Sequence, residues 1–397
     1  MIITLLSDSI VVKSLVKTLS NTLFWGTIIV ACFTILIGFL FQRKKWLGEG
    51  WEKPLVKIIL WVGLPALIIK NFMIDLNIDE FKNMVSLFIL GILFYALLFF
   101  GSRLFFLKQD RNSQDAYSMA IAFPSTIYFG LPMARALAEG NFQLTEVDQA
   151  QNMFNVGYWI FMCSFAVFVF QRNNAEKPRV SLVGHGTWHP FKNFNIKKLR
   201  ILFANPIIIA LFVGFFLWIM QLIPGIKIIH VTDNGWNTIS PGYYSITRLD
   251  ALIPGFSQAT TILGALPTPI AWLAVGAIIG KNNLRETFSK GEVWYASFLK
   301  MLVVPALITG LLAAVAAIGW KTGLYSVSNI SLLTAILMIA SPAASTIASY
   351  AITYNKGATT CSQICTQTTL LAIVTMPFWA VIASVLGEAK IFTQIPV

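Results

Sequence analysis

The residues able to do chemistry in this chain fall in two short runs. The first is Pro124, Ser125 and Thr126, then Tyr128, Gly130 and Pro132, inside the apolar stretch AIAFPSTIYFGLPMARAL, Ala120–Leu137. The second is Ser341 and Pro342, then Ser345 and Thr346, inside ILMIASPAASTIASYAITY, Ile336–Tyr354. Proline lacks a backbone donor and clashes with the preceding turn, so a helix through either run is interrupted. Interruption leaves unpaired N–H groups at the start of the second half, with the positive end of the helix dipole, about half an elementary charge. Those ends fall near Thr126–Tyr128 and Ala344–Thr346. Two of them meeting at one spot hold an anion without a buried cation. Ser125, Thr126, Ser341, Ser345 and Thr346 add hydroxyl donors. The chemistry on offer is reversible binding of a negative solute. The plainer alternative is a pair of kinked, packed helices whose hydroxyls bond back to their own carbonyls. Recurrence of the pattern in both halves of the chain favours the binding site.

Other reactive groups are poorly placed for catalysis. The 17 acids lie in loops or at the ends of apolar runs, and His185, His189 and His230 lie in loops. No carboxylate or imidazole at mid-membrane depth can carry a proton. That favours facilitated movement of an anion, or symport in which the solute brings the proton. Arg135, about two turns past the first break, can meet a carboxylate bidentately or snorkel to the outer surface. Lys300 is ambiguous in the same way, near the inner end of its apolar run. Asn71 and Asn155 suit helix–helix hydrogen bonds or function equally. There is no H-E-x-x-H, no paired intramembrane Asp, no Ser with a nearby His in a span and no Walker loop. The chain therefore reads as neither an enzyme nor an ATP-driven pump, and no cofactor is expected. Cys32, Cys163, Cys361 and Cys365 all sit in apolar stretches. They favour packing over disulfides or a metal site.

The elements that must position these residues are membrane spans. Hydrophobic residues make up 56% of the 397 and charged residues 12%, against about 25% charged in a soluble domain. This composition predicts an all-α polytopic membrane protein with about ten spans of roughly 20 residues. The net charge of +12 does not indicate nucleic acid, because the positives sit between apolar runs, as in cytoplasmic loops. Broken spans are expected fourth and ninth, over about Asp115–Glu139 and Val327–Tyr354. The basic segment Gln171–Arg200 divides the chain into a first repeat, 1–170, and a second, 201–386. It is too short for a core of its own and reads as a cytoplasmic linker. Placing the N-terminus outside gives the inner segments twice the Lys and Arg of the outer ones, so both termini are expected outside. Five spans is an odd number, so the second copy enters the membrane inverted, the plan of many secondary transporters. Met1–Asn21 lacks a signal-peptide pattern and is expected to form a short amphipathic helix on the membrane surface or an unstructured leader. The outside segment Ile223–Gly255 is long and rich in Gly, Asn and Tyr.

Five motifs carry a resemblance. They are LPALIIKNF at Leu64–Phe72, PSTIYFGLPM at Pro124–Met133, NPIIIALFVG at Asn205–Gly214, KMLVVPAL at Lys300–Leu307 and ASPAASTIASY at Ala340–Tyr350. In this order and spacing the chain resembles the auxin efflux carrier family, which includes bacterial malate permeases and the plant PIN carriers. The likeness covers about Thr22–Leu386. It implies the fold of the bile-acid symporters: ten spans in a 5+5 inverted repeat, with helices four and nine broken and crossing. It also implies a scaffold domain, a moving transport domain, each mixing helices from both repeats, and often a homodimer in the plasma or inner membrane. The implied activity is alternating-access transport of a small carboxylate, malate first. A sodium-coupled organic anion symporter and an auxin-like aromatic acid exporter are the alternatives. Many members carry Asn where this chain has Ser125, and an Asn near Thr346. A hydroxyl offers fewer donors than an amide, and Arg135 is the candidate to compensate. The crossing is poor in the carboxamide and carboxylate oxygens that a sodium site needs.

Overall fold

The computed structural model describes residues 10–76, 78–138, 140–171, 205–232 and 241–393. Nearly all of the basic linker, and the first residues of the leader, lie outside the described residues. Twelve-residue and longer helices dominate: α2 Thr22–Lys44, α3 Glu52–Phe72, α4 Phe81–Phe106, α7 Gln143–Gln171, α9 Phe256–Lys281, α10 Gly291–Thr322 and α13 Ala358–Gly387. These seven, among the described residues, are long and apolar enough to cross a membrane. Between them lie α5 Arg111–Ala122, α6 over 126–137, α8 Pro206–Met220, α11 Asn329–Ala340 and α12 Ser345–Thr353. The chain is thus a polytopic helical membrane protein. Exposed Ile29, Phe33, Ile89, Leu93, Phe212 and Phe216 form part of its lipid-facing surface.

Prolines shape the spans through wide turns. Pro65, Pro132 and Pro305 each follow a π turn, at Ile59–Gly63, Thr126–Gly130 and Leu299–Val303. The proline ring cannot tolerate the carbonyl four residues back, so the turn opens and that carbonyl loses its helical donor. Two indoles replace it. Trp272 Nε1 donates to the Tyr128 carbonyl at 2.9 Å, and Trp379 Nε1 donates to the Met301 carbonyl at 2.8 Å. A tryptophan from another helix thereby reads two of the three kinks.

The helices pack in two groups. One joins α2, α3, α8 and α9. The other joins α4 to α7 and α10 to α13. Small residues set the closest approaches, as expected where lipid gives helices no hydrophobic reason to associate. In the first group a Cβ on Gly38 would overlap the Leu273 carbonyl, and one on Gly276 would overlap the Ile35 carbonyl. In the second, Gly157 lies against the Gly91 carbonyl. Gly276→Leu is expected to wedge α2 from α9 and cost about 1–3 kcal/mol. The check is a lowered thermal midpoint of the purified protein, with Gly26→Leu, at an open position, as the control.

Two details depart from the sequence reading. The leader does form a helix, α1 Ile10–Leu19, but its buried positions are hydroxyls. Ser14 and Thr18 are covered, Thr18 Oγ1 donates to Ser384 Oγ at 3.0 Å, and Val12 and Val16 face out. A chain expected to be all-α also holds an antiparallel hairpin, β1 Lys227–Val231 with β2 Gly242–Ser245, in the long segment Ile223–Gly255. Behind it, buried Arg248 clamps Asp250 with Nε and Nη2 at 2.8 and 2.7 Å and reaches Asp75 at 2.9 Å. This bidentate fork fixes the segment to the end of α3.

Candidate substrate-binding site

The two interruptions come together. α5 ends at Ala122 and α11 at Ala340, and the extended backbone between half-helices pairs across them. Ser125 N donates to the Pro342 carbonyl at 2.7 Å, and Ala344 N donates to the Phe123 carbonyl at 2.9 Å. Pro124 and Ala343 face each other as one antiparallel bridge. The prolines thus sit where their missing N–H costs nothing, and the residues beside them knit the crossing. The Ala343 N–H donates to Thr368 Oγ1 of α13 at 3.1 Å. The Ser125 carbonyl accepts from Phe129 N at 3.0 Å, and the Ala344 carbonyl from Ile347 N at 3.0 Å.

This bridge uses some of the N–H groups that the sequence reading left for an anion. Those of Ser125 and Ala344 are spent on the crossing itself. Beyond the bridge, the half-helices of α6 and α12 begin at Thr126 and Ser345 without a side-chain cap, so their leading N–H groups lie where a helix has no acceptor of its own. The two half-helix starts are neighbours, since Pro124 and Ala343, just ahead of each, face one another in the bridge. The Ser125 hydroxyl, 2% exposed as a residue, has no partner among the described residues. These leading N–H groups and one hydroxyl therefore remain for a negative group.

Each expected site residue has a definite place. Pro124, Ser125, Thr126, Pro342, Ser345 and Thr346 all lie at the crossing and are buried or bridged there. Tyr128 is buried on the second half of the first break, where its carbonyl accepts from Trp272. Ser341 instead turns back, its Oγ donating to the Met338 carbonyl at 2.6 Å. Gly130 serves packing, because a Cβ there would overlap Met338 Cα of α11. Arg135 is away from the crossing, held by Asp148 through Nε at 2.7 Å and Nη2 at 2.6 Å. It therefore does not compensate for the missing amide. Arg135→Gln is expected to leave ligand affinity within about threefold, since no bound group loses a partner. Titration of the purified variant by the same binding assay checks this.

The structure adds residues that the sequence reading did not place. Asn155 of α7 donates from Nδ2 to Thr126 Oγ1 at 3.2 Å, while its Oδ1 has no partner among the described residues. One turn earlier, Asn152 and Gln151 accept from Asn71 Nδ2 at 3.0 and 2.8 Å. Lys70, Asn71, Thr145 and Asp148 line a cavity of about 130 Å³ beyond them. A polar track thus runs along α7 from this cavity to the crossing. Its signal was in the sequence as Asp148, Asn152 and Asn155, spaced three and four apart on one helical face. A second cavity, of about 270 Å³, lies between α2, α6 and α13. Its walls include Ile28, Ile35, Phe129, Met133 and Met376, with Thr369 among the few polar residues. The Thr369 hydroxyl has no partner among the described residues. No group of three or more His, Cys, Asp or Glu able to hold a metal occurs among the described residues.

A family model described as a membrane transport protein matches residues 23–380. No curated protein matches the chain.

Proposed function

The chain belongs to the auxin efflux carrier family of membrane transport proteins, and from that premise we propose that it moves a small organic carboxylate by alternating access. The observation that carries this reading is the crossing. There, two half-helix starts without side-chain caps offer their leading N–H groups and the Ser125 hydroxyl to a negative group. Malate is the first candidate. Transport is by uniport or linked to a proton carried on the solute, as no carboxylate lines the crossing among the described residues. We take α2, α3, α8 and α9 as the scaffold and the rest as the transport domain, with the bound solute moving as part of the latter. We read the helices as ten spans in a 5+5 inverted repeat in the plasma membrane. Both termini lie outside in this reading, which agrees with the contact of α1 with the end of α13.

The apolar cavity beside α6 favours a second reading of the substrate, a carboxylate with an apolar or aromatic body. A dicarboxylate gains little from walls of Ile, Phe and Met, whereas an aromatic ring buries area worth about 25 cal/mol per Å². Thermal shift of the purified protein against malate and against an aromatic acetate separates the two. At a hundredfold excess over Kd, binding stabilises the folded protein by about 2.7 kcal/mol. Flux of the shifting ligand in proteoliposomes then tests the carrier reading. Folded, reconstituted protein that passes no carboxylate would overturn it.

A further inference from the structure

Lys300 lies on the π turn Leu299–Val303 of α10 and is wholly buried. Its Nζ donates to the Ile339 carbonyl at 2.8 Å. Ile339 is the last residue but one of α11, whose final carbonyls point onward without helical donors. These carbonyls carry the negative end of the half-helix dipole. The severed end is capped piece by piece. The Met338 carbonyl takes the Ser341 hydroxyl, the Ile339 carbonyl takes the Lys300 ammonium, and the Pro342 carbonyl takes the Ser125 N–H. Among the described residues the partner of Lys300 is the Ile339 carbonyl, and no carboxylate pairs with it. A buried ammonium with one carbonyl partner is costly, by several kcal/mol in the general case. A packing role would be met by Leu or Met at no such cost. The amino group, and not bulk, is what distinguishes this position, and it is directed at the broken end of α11.

We propose that Lys300 is a tethered cation. Its ammonium stands at the carbonyl end of α11, where carriers with broken helices use unwound carbonyls and half-helix ends to hold a coupling ion. The chain therefore supplies from α10 the positive charge that a free sodium ion would otherwise bring. This rests on the carrier reading for its consequence, which is solute binding independent of inorganic cation. The electrostatic part, a cation needed to complete the severed helix end, does not.

Two measurements separate these. The first uses solute-free purified protein. Lys300→Ala leaves a hole the length of the lost side chain. Its thermal midpoint is expected to fall in choline buffer and to recover on adding propylammonium or sodium, while the wild type responds to neither. A folded variant with an unchanged midpoint, or a lowered one that no cation restores, overturns the proposal. The second compares carboxylate binding by the wild type in sodium and in choline. Affinities equal within twofold are expected. A tenfold dependence on sodium overturns the proposal even if Lys300→Ala does not fold. For a folded Lys300→Ala, binding is expected to weaken at least tenfold in choline and to return with propylammonium. Absence of any carboxylate binding to the wild type would count against the carrier reading alone, since the midpoint experiment needs no solute.

Discussion

Asp115→Asn is expected to cost the protein about 3–5 kcal/mol, the usual penalty for removing one partner of a buried ion pair. Asp115 is 2% exposed and sits on the first turns of α5. Arg103, at the end of α4, holds its Oδ1 at 2.6 Å. Lys356, between α12 and α13, holds its Oδ2 at 2.6 Å and also donates to the Val169 carbonyl of α7 at 2.7 Å. One carboxylate thus ties together four chain segments at the end of α5 remote from the crossing. Its loss leaves two buried cations facing each other without the negative charge between them. The amide is nearly the same shape, so the cost isolates charge from packing. Thermal unfolding of the purified variant reads it, and a drop below about 1 kcal/mol would show the cluster to be dispensable. Asp115→Asn combined with Lys356→Met should recover part of the loss, because one stranded cation is gone.

The second large effect falls on binding. Ser125→Leu together with Thr346→Leu should weaken carboxylate binding at least a hundredfold, about 2.8 kcal/mol. Both residues are buried at the half-helix starts, and a branched apolar side chain there covers the donor groups of Thr126 and Ser345. Ser125→Ala removes a hydroxyl and leaves the backbone donors, so a loss of about 1 kcal/mol, or fivefold, is expected. Ser125→Asn adds a donor at the buried, unpartnered position and should tighten binding. Thermal shift against a ligand of the wild type measures all three. Folded Leu variants that bind as the wild type does would move the site away from the crossing.

Much of this architecture was legible in the chain, for a simple reason. Lipid leaves no partner for an exposed backbone, so a proline in a span announces its own broken hydrogen bonds. Pro124 and Pro342, each followed by hydroxyl residues, could be read as interruptions from their neighbours alone. The seam between α2 and α9 was not legible, because a glycine such as Gly276 says that something comes close without saying what. Arg135 was left open because its partner, Asp148, lies on the next helix. Asn155 was left open since its value depends on which face of α7 meets Thr126.

The sequence by itself determined the class of the molecule and the two places where helices must break. These depend on local terms: apolar run length, proline chemistry and the distribution of charge. Only the tertiary structure decided that the two breaks pair as a bridge, which N–H groups that bridge consumes and which remain. It also decided that Lys300 meets the carbonyl end of α11. Such outcomes turn on contacts between residues tens to hundreds of positions apart, fixed by packing geometry that no local pattern encodes.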